Sequence, residues 1–278
     1  MTATVYAFCN QKGGPGKTTN VHLSAHAFAE LGKRVLAVDF DPQANLTDVI
    51  THHDYTPPAP GSQAVTVADV LDPKVKADIR EAIVRGVRDG IDVLPSAEED
   101  LASVVYDLMA MQAGREYRLK ESLAPIVDDY DVILIDCPPE LGQLMINAIT
   151  AADAVVIVTT PEQFSISGIT KLLTSISTAV AYTNPGLVIA GAIVNQVQAT
   201  NRKKYWLEEV TQLLGEQTPP IPVLDRPVQF ATWIGEAVEA GVSLDSLNTA
   251  PARELARVYR SYAEQLETNI TTQKVSAS

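Results

Sequence analysis

Residues Lys12-Gly13-Gly14-Pro15-Gly16-Lys17-Thr18-Thr19 place three glycines, two lysines and two threonines in eight positions. Glycines in such a run let successive backbone N–H groups curl around the oxygens of an anion. Lys17 then offers a point charge to the β and γ phosphates of a nucleotide, and the Thr18 hydroxyl is a hard oxygen ligand suited to Mg2+. The ordinary phosphate-loop pattern, Gly-x4-Gly-Lys-[Ser/Thr], requires glycine at position 11, where this chain carries Gln11. The pattern fails by one residue while its working parts remain. Pro15 removes one backbone donor from the cradle and fixes its own φ, which leaves weaker binding and simple stiffening both open.

Such a loop needs a strand before it and a helix after it, and the sequence supplies both. Thr4-Val5-Tyr6-Ala7-Phe8-Cys9 predicts a buried strand, and residues 20–31 predict a helix closed by Gly32. The helix directs the positive end of its dipole at the same anion. Short runs rich in Val and Ile at 91–95, 132–136, 153–159 and 187–194 predict strands of a parallel sheet covered on both faces, with helical patterns between them. The expectation is an α/β fold, doubly wound, with a mostly parallel sheet and the phosphate site at the carboxyl ends of the strands.

Four more motifs follow the loop in order. They are Val38-Asp39-Phe40-Asp41-Pro42-Gln43-Ala44-Asn45-Leu46-Thr47, Val132-Ile133-Leu134-Ile135-Asp136-Cys137-Pro138-Pro139, Pro161-Glu162-Gln163-Phe164, and Glu236-Ala237-x3-Gly241. With them the chain resembles the ParA/MinD-type ATPases, the P-loop class with a deviant Walker A loop, over residues 1 to about 245. The resemblance implies ATP and Mg2+ as cofactors and slow, partner-stimulated ATP hydrolysis, in which positioning and charge supply most of the catalysis. It implies that Lys12, Gly13, Gly14, Gly16, Lys17, Thr18 and Thr19 hold the nucleotide. Thr18 and Asp136 hold the metal, Asp136 directly or through water, and Asp41 orients or deprotonates the attacking water. Asp39 supports the metal shell or the loop, although paired acids after a strand also serve simply to cap a helix.

Lys12 separates a simple ATPase from a dimerisation switch. The resemblance implies that it crosses a homodimer interface to phosphate oxygens of the ATP held by the other subunit. A charge-assisted hydrogen bond is worth roughly 1.5–3 kcal/mol, and two symmetric copies would shift a monomer–dimer equilibrium. By analogy with the MinD side of the family, Asn195 contacts a purine edge and residues 222–226 wall the same pocket, or either segment is a plain turn.

The implied function is DNA partitioning: an ATP-dependent homodimer binds DNA without sequence preference, and a ParB-like centromere-binding protein stimulates hydrolysis. The alternatives are a MinD-like membrane-surface ATPase and an ATPase that positions a protein cargo. A membrane-surface form should carry a terminal amphipathic helix, and residues 267–278 have neither large apolar groups nor basic density.

A net charge of −13, from 34 acidic and 21 basic side chains, argues at first against a nucleic-acid partner. Distribution counts for more. Arg253, Arg257 and Arg260 fall at i, i+4 and i+7 of a helix expected over 251–267, and Lys203 and Lys204 follow Arg202. These are the candidate DNA contacts, unless they are solvated helix faces paired with Glu254, Glu264, Glu208 and Glu209. His22 and His26 have the spacing of a metal pair but lack the Glu of His-Glu-x-x-His, and they are not assigned. Tyr259 and Tyr262 read as packing residues of the late helix.

Two cysteines among 278 residues provide no disulfide framework, and the chain has neither a leader pattern nor 18 uninterrupted apolar residues. A cytoplasmic location is expected, nucleoid-associated when ATP is bound, with no membrane partner. One domain over 1–268 is expected, with a disordered tail from 269 to 278 and a proline-rich surface loop over 55–62.

Overall fold

The computed structural model describes residues 2–10, 14, 16–58, 65–96, 99–229 and 231–277. Lys12, Gly13 and Pro15 therefore lie outside the described residues, as do residues 59–62 of the expected loop. The strands are β1 (Thr4–Cys9), β2 (Val35–Asp39), β3 (Val84–Arg85), β4 (Ile91–Leu94), β5 (Val132–Asp136), β6 (Ala154–Thr159) and β7 (Val188–Val194). They form one sheet in the order β3-β4-β2-β5-β1-β6-β7, parallel throughout except between β3 and β4. The expected doubly wound α/β fold is what the structure shows.

The helices are α1 (Lys17–Glu30), α2 (Asn45–Ile50), α3 (Val67–Leu71), α4 (Ile79–Ala82), α5 (Glu99–Ala110), α6 (Arg118–Leu123), α7 (Gln143–Ala151), α8 (Gln163–Tyr182), α9 (Asn201–Gly215), α10 (Thr232–Glu239) and α11 (Ala250–Ala277). Successive strand residues point to opposite faces, so each strand feeds two cores. Val5, Ala7, Ile133 and Ile135 pack with Leu101, Met145, Ile169 and Val210 from α5, α7, α8 and α9. Tyr6, Phe8, Val132 and Leu134 pack with Val21, Phe28, Ala237, Tyr259 and Leu266 from α1, α10 and α11. Both faces are covered, which is why the strands read as continuous apolar runs. Helix α8 is long and apolar enough, by length and composition, to cross a membrane. Here its Ser165, Ile169, Leu172, Ile176 and Ala179 stripe is buried on the sheet.

Helix α1 is buried on nearly every side, residues 20–28 without interruption. It stops where Gly32 takes φ 79°. There the Gly32 N–H bonds the Ala29 carbonyl and the Lys33 N–H bonds the Phe28 carbonyl, which satisfies two of the last carbonyls of the helix.

The tail expected from residue 269 is corrected. Helix α11 continues to Ala277. Ile270 is buried, and the Asn269 and Gln273 amides donate to the carbonyls of Ala190 and Ile189 at 2.7 and 2.8 Å. Those carbonyls belong to β7, an edge strand, so the helix end covers backbone that would otherwise be open.

Candidate active site

Strand order and register bring the chemistry together. From β1 the chain crosses to β2, with β5 lying between them, while β6 flanks β1 on its other side. Such a reversal opens a crevice at the carboxyl ends of the strands. In register, Phe8 is opposite Asp136 and Asp39 is opposite Asp136, so the phosphate loop and two carboxylates share one edge.

Gly16 occupies the N-cap of α1 with φ 89°, a left-handed conformation that favours glycine, and no side chain among the described residues caps the helix. The first N–H groups of α1 are thus left for an anion. Gly14 has φ 85°. Lys17, only 6% exposed, opens α1, and Thr19 stands half-buried in the same turn. The Thr18 hydroxyl donates to Asp136 Oδ2 at 2.6 Å. Asp136 Oδ1 is buried and has no hydrogen-bond partner among the described residues. A hydroxyl and a buried carboxylate oxygen with capacity to spare form a donor set that fits Mg2+, which takes one or two protein oxygens and completes its shell with phosphate and water.

Burial first, and then the charge of Asp39, pushes the Asp136 carboxyl up to about 8, against the opposing pull of the Thr18 hydrogen bond and of Lys17. Burial likewise raises Asp39 to about 6, opposed by its hydrogen bonds. Asp39 Oδ2 accepts from the Thr47 backbone and hydroxyl, both at 2.7 Å, and its Oδ1 accepts from the Asp41 N–H at 3.3 Å. Asp39 therefore organises the loop and the start of α2. The side chain of Asp41 accepts from the Gln43 N–H at 3.0 Å, and its carbonyl accepts from the Ser96 hydroxyl at 2.8 Å. The Ser96 N–H in turn donates to the Thr47 hydroxyl at 2.8 Å. Thr47 and Ser96 hold the Asp39–Asp41 loop from two sides; Thr47 closes the second motif, whereas Ser96 carried no signal in the sequence, because the sheet alone brings it to Asp41 and Thr47.

Asn195 ends β7 with its N–H on the Thr159 carbonyl at 2.8 Å. Its amide nitrogen lies 3.0 Å from where a Cβ on Gly16 would stand, so the side chain reaches the phosphate loop. Gln196, with φ 55°, donates its amide to the Gly14 carbonyl at 3.3 Å. Asn10, just before the loop, donates its amide to the Val158 carbonyl. Asn20 is fully buried and donates to the Gly16 carbonyl at 2.6 Å. Asn10, Asn20 and Gln196 were not singled out from the sequence, since nothing local distinguishes them from ordinary polar residues.

The expected DNA contacts divide. Arg253 and Arg257 are exposed, Arg253 bonded to Asn248 and Arg257 to Glu254. Arg260 leaves that face: one nitrogen of its guanidinium bonds Glu30 at 2.6 Å and Asp245 at 2.7 Å. Lys203 is turned to Glu162 at 3.2 Å, while Lys204 is exposed. Glu30 and Glu162 lie 230 and 41 residues from the cations they hold, and Asp245, 15 residues before Arg260, lies outside its helix, so helical spacing alone did not reveal them. Cys9 and Cys137 are buried free thiols with sulfurs 3.5 Å apart, and burial holds the Cys137 thiol well above its usual range.

A family model described as an AAA domain matches residues 3–189. The chain is 38% identical to the sporulation initiation inhibitor protein Soj of Bacillus subtilis, over 74% of this chain and 78% of the relative. It is 32% identical to the chromosome-partitioning ATPase Soj of Treponema pallidum, over 93% of this chain and 95% of the relative. A crystal structure of cobyrinic acid a,c-diamide synthase from Mycobacterium smegmatis, with bound ADP and magnesium, is 33% identical and superposes with a TM-score of 0.74, covering 94% of this chain and 93% of that one.

Proposed function

The chain belongs to the ParA/MinD-type family of partitioning ATPases, and from that premise we propose that it is a Mg2+-dependent ATP hydrolase that partitions plasmid or chromosomal DNA. In this reading ATP pairs two copies of the chain, the pair binds duplex DNA without sequence preference, and a ParB-like partner stimulates hydrolysis and release. The protein then works in the cytoplasm, on the nucleoid while ATP is bound. The observation that carries the reading is the Thr18 hydroxyl on Asp136 at 2.6 Å, beside Lys17 and an uncapped helix start.

Bound Mg·ATP supplies the phosphoanhydride to be cleaved and the charge of the metal. Lys17 and the N–H groups that open α1 would bind the phosphates, Thr18 and Asp136 would hold the metal, and Asn195 would border the nucleotide. Asp41 is the group we assign to orienting the water and taking its proton; its burial to 8% exposure, the Ser96 bond to its backbone carbonyl and the Gln43 bond to its carboxylate support that role. Lys12 and Gly13 enter through the loop pattern alone. Arg253, Arg257 and Lys204 are the exposed cations offered to DNA phosphates, with Arg260 and Lys203 already held by carboxylates.

Asp41→Ala tests the assignment. The variant should still associate with itself in ATP and not in ADP, while turnover falls by about 100-fold or more. Hydrolysis at the wild-type rate would remove Asp41 from the water. The name of the mycobacterial relative points to a different use of the same site, ATP-dependent amide formation. ATP turnover by the wild type in buffer and Mg2+ alone supports the hydrolase, whereas turnover only with an added carboxylic acid and nitrogen donor supports a synthase.

A further inference from the structure

Tyr259 lies on α11, 239 residues from Asn20, yet its hydroxyl donates to Asn20 Oδ1 at 3.1 Å inside the core. Asn20 in turn donates its amide to the Gly16 carbonyl at 2.6 Å, and its own N–H bonds the same carbonyl at 2.9 Å. Asn20 is 0% exposed and Tyr259 2%. A phenylalanine at 259 and an aliphatic residue at 20 would fill this space with no polar group to satisfy, and buried polar groups persist where partners hold them. The chain of bonds has a definite end: the carbonyl of the Gly16–Lys17 peptide, on the far side of the left-handed Gly16. With its oxygen occupied by Tyr259, the Asn20 amide has one orientation, NH2 toward Gly16. Without the phenol, the amide is free to turn over, which leaves the Gly16 carbonyl with the Asn20 N–H alone.

We propose that Tyr259 is a positioning residue for the nucleotide site: through Asn20 it holds the Gly16 carbonyl and so presets the phosphate loop from the C-terminal helix. This rests on the reading of that loop as a nucleotide site. The same helix is held one turn further on, where the Tyr262 ring stacks edge-on against Tyr259 at 5.5 Å and its hydroxyl donates to the Arg226 carbonyl at 2.6 Å. Arg226 has φ 64° and lies in the segment that follows β7. Helix α11 thus grips both the phosphate loop and the loop beyond Asn195.

The test is Mg·ADP binding by titration calorimetry, with thermal unfolding measured in parallel, on the full chain. Tyr259→Phe should raise the Kd for Mg·ADP about fivefold, the loss of one well-placed hydrogen bond. Asn20→Ala should raise it by a similar factor, and the double variant by no more than about twofold beyond either single one, because the two groups act in series. Ile270→Val, on the same helix away from the relay, should lower the unfolding temperature and leave the Kd unchanged.

An unaltered Kd in Tyr259→Phe overturns the relay. So does a Kd raised equally by Ile270→Val, which would make the effect general loosening of α11, or single effects that multiply in the double variant. If Tyr259→Phe does not fold, Asn20→Ala alone decides, an unchanged Kd again overturning the proposal. A wild type that takes up no Mg·ADP overturns the nucleotide reading itself and the relay with it.

Discussion

His22 and His26 stand four positions apart on α1 with ring centroids 4.7 Å apart, inside a helix buried on nearly all sides. Burial holds His22 down to about 4, against a hydrogen bond to the Val242 carbonyl, and holds His26 down to about 3, helped by the neighbouring His22 and Arg88 charges. In the unfolded chain both titrate near 6.5. Between about pH 6.5 and pH 4 the unfolded state therefore takes up protons that the native state refuses, and stability falls as pH falls through that window. The full contribution is present above about pH 6.5. For His22 alone the loss is on the order of 3 kcal/mol. Neither ring nitrogen of His26 has a hydrogen-bond partner among the described residues, so an apolar replacement loses no bond. Urea unfolding across pH 4.5–8 should find His26→Leu at least as stable as wild type at neutral pH and less sensitive to acid. Parallel pH profiles would show that His26 does not titrate in the unfolding reaction. The metal-like spacing was legible in the sequence, but the burial that makes these two rings core residues was not.

Helix α11 shows where reading by element succeeds and where it stops. Apolar runs located the inner strands within a residue or two, 132–136 for β5 and 153–159 for β6, because a strand buried on both faces is apolar along most of its length. The phosphate loop was legible because its glycines and lysine are contiguous. The two-residue β3, the Thr47–Ser96 bond and the Tyr259–Asn20 bond were not, since each depends on contacts that only the folded sheet brings together. The end of α11 was misread for a related reason. Its docking groups are Asn269, Gln273 and Lys274, polar residues that bond β7 carbonyls and Asp153, so hydrophobic periodicity fades where the helix is still held. Deleting residues 269–278 should cost about 2 kcal/mol in denaturant unfolding, from the lost hydrogen bonds and the burial of Ile270. Equal midpoints and slopes would return this segment to a tail without a structural role.

At the scale of the whole molecule, the proposed function asks how a chain of net charge −13 would meet DNA. Its exposed cations are partly committed: Arg34 to Asp131, Arg80 to Asp129, and Arg226 and Arg257 to Glu254. Exposed pairs of this kind are worth little in water and exchange readily for phosphate, so they do not block binding, although the acidic background weakens it. A single copy offers few such cations in the region of Arg253 and Arg257, and pairing two copies doubles them. In the proposed function, pairing in ATP would therefore make affinity for DNA depend on nucleotide, and one measurement tests this central claim. Binding to a non-specific duplex should be followed with ATP, with ADP and without nucleotide, across a salt series. The account predicts binding with ATP alone, with log affinity falling against log salt by about 0.9 per phosphate contact. Equal binding in all three states, or none with ATP, would contradict it.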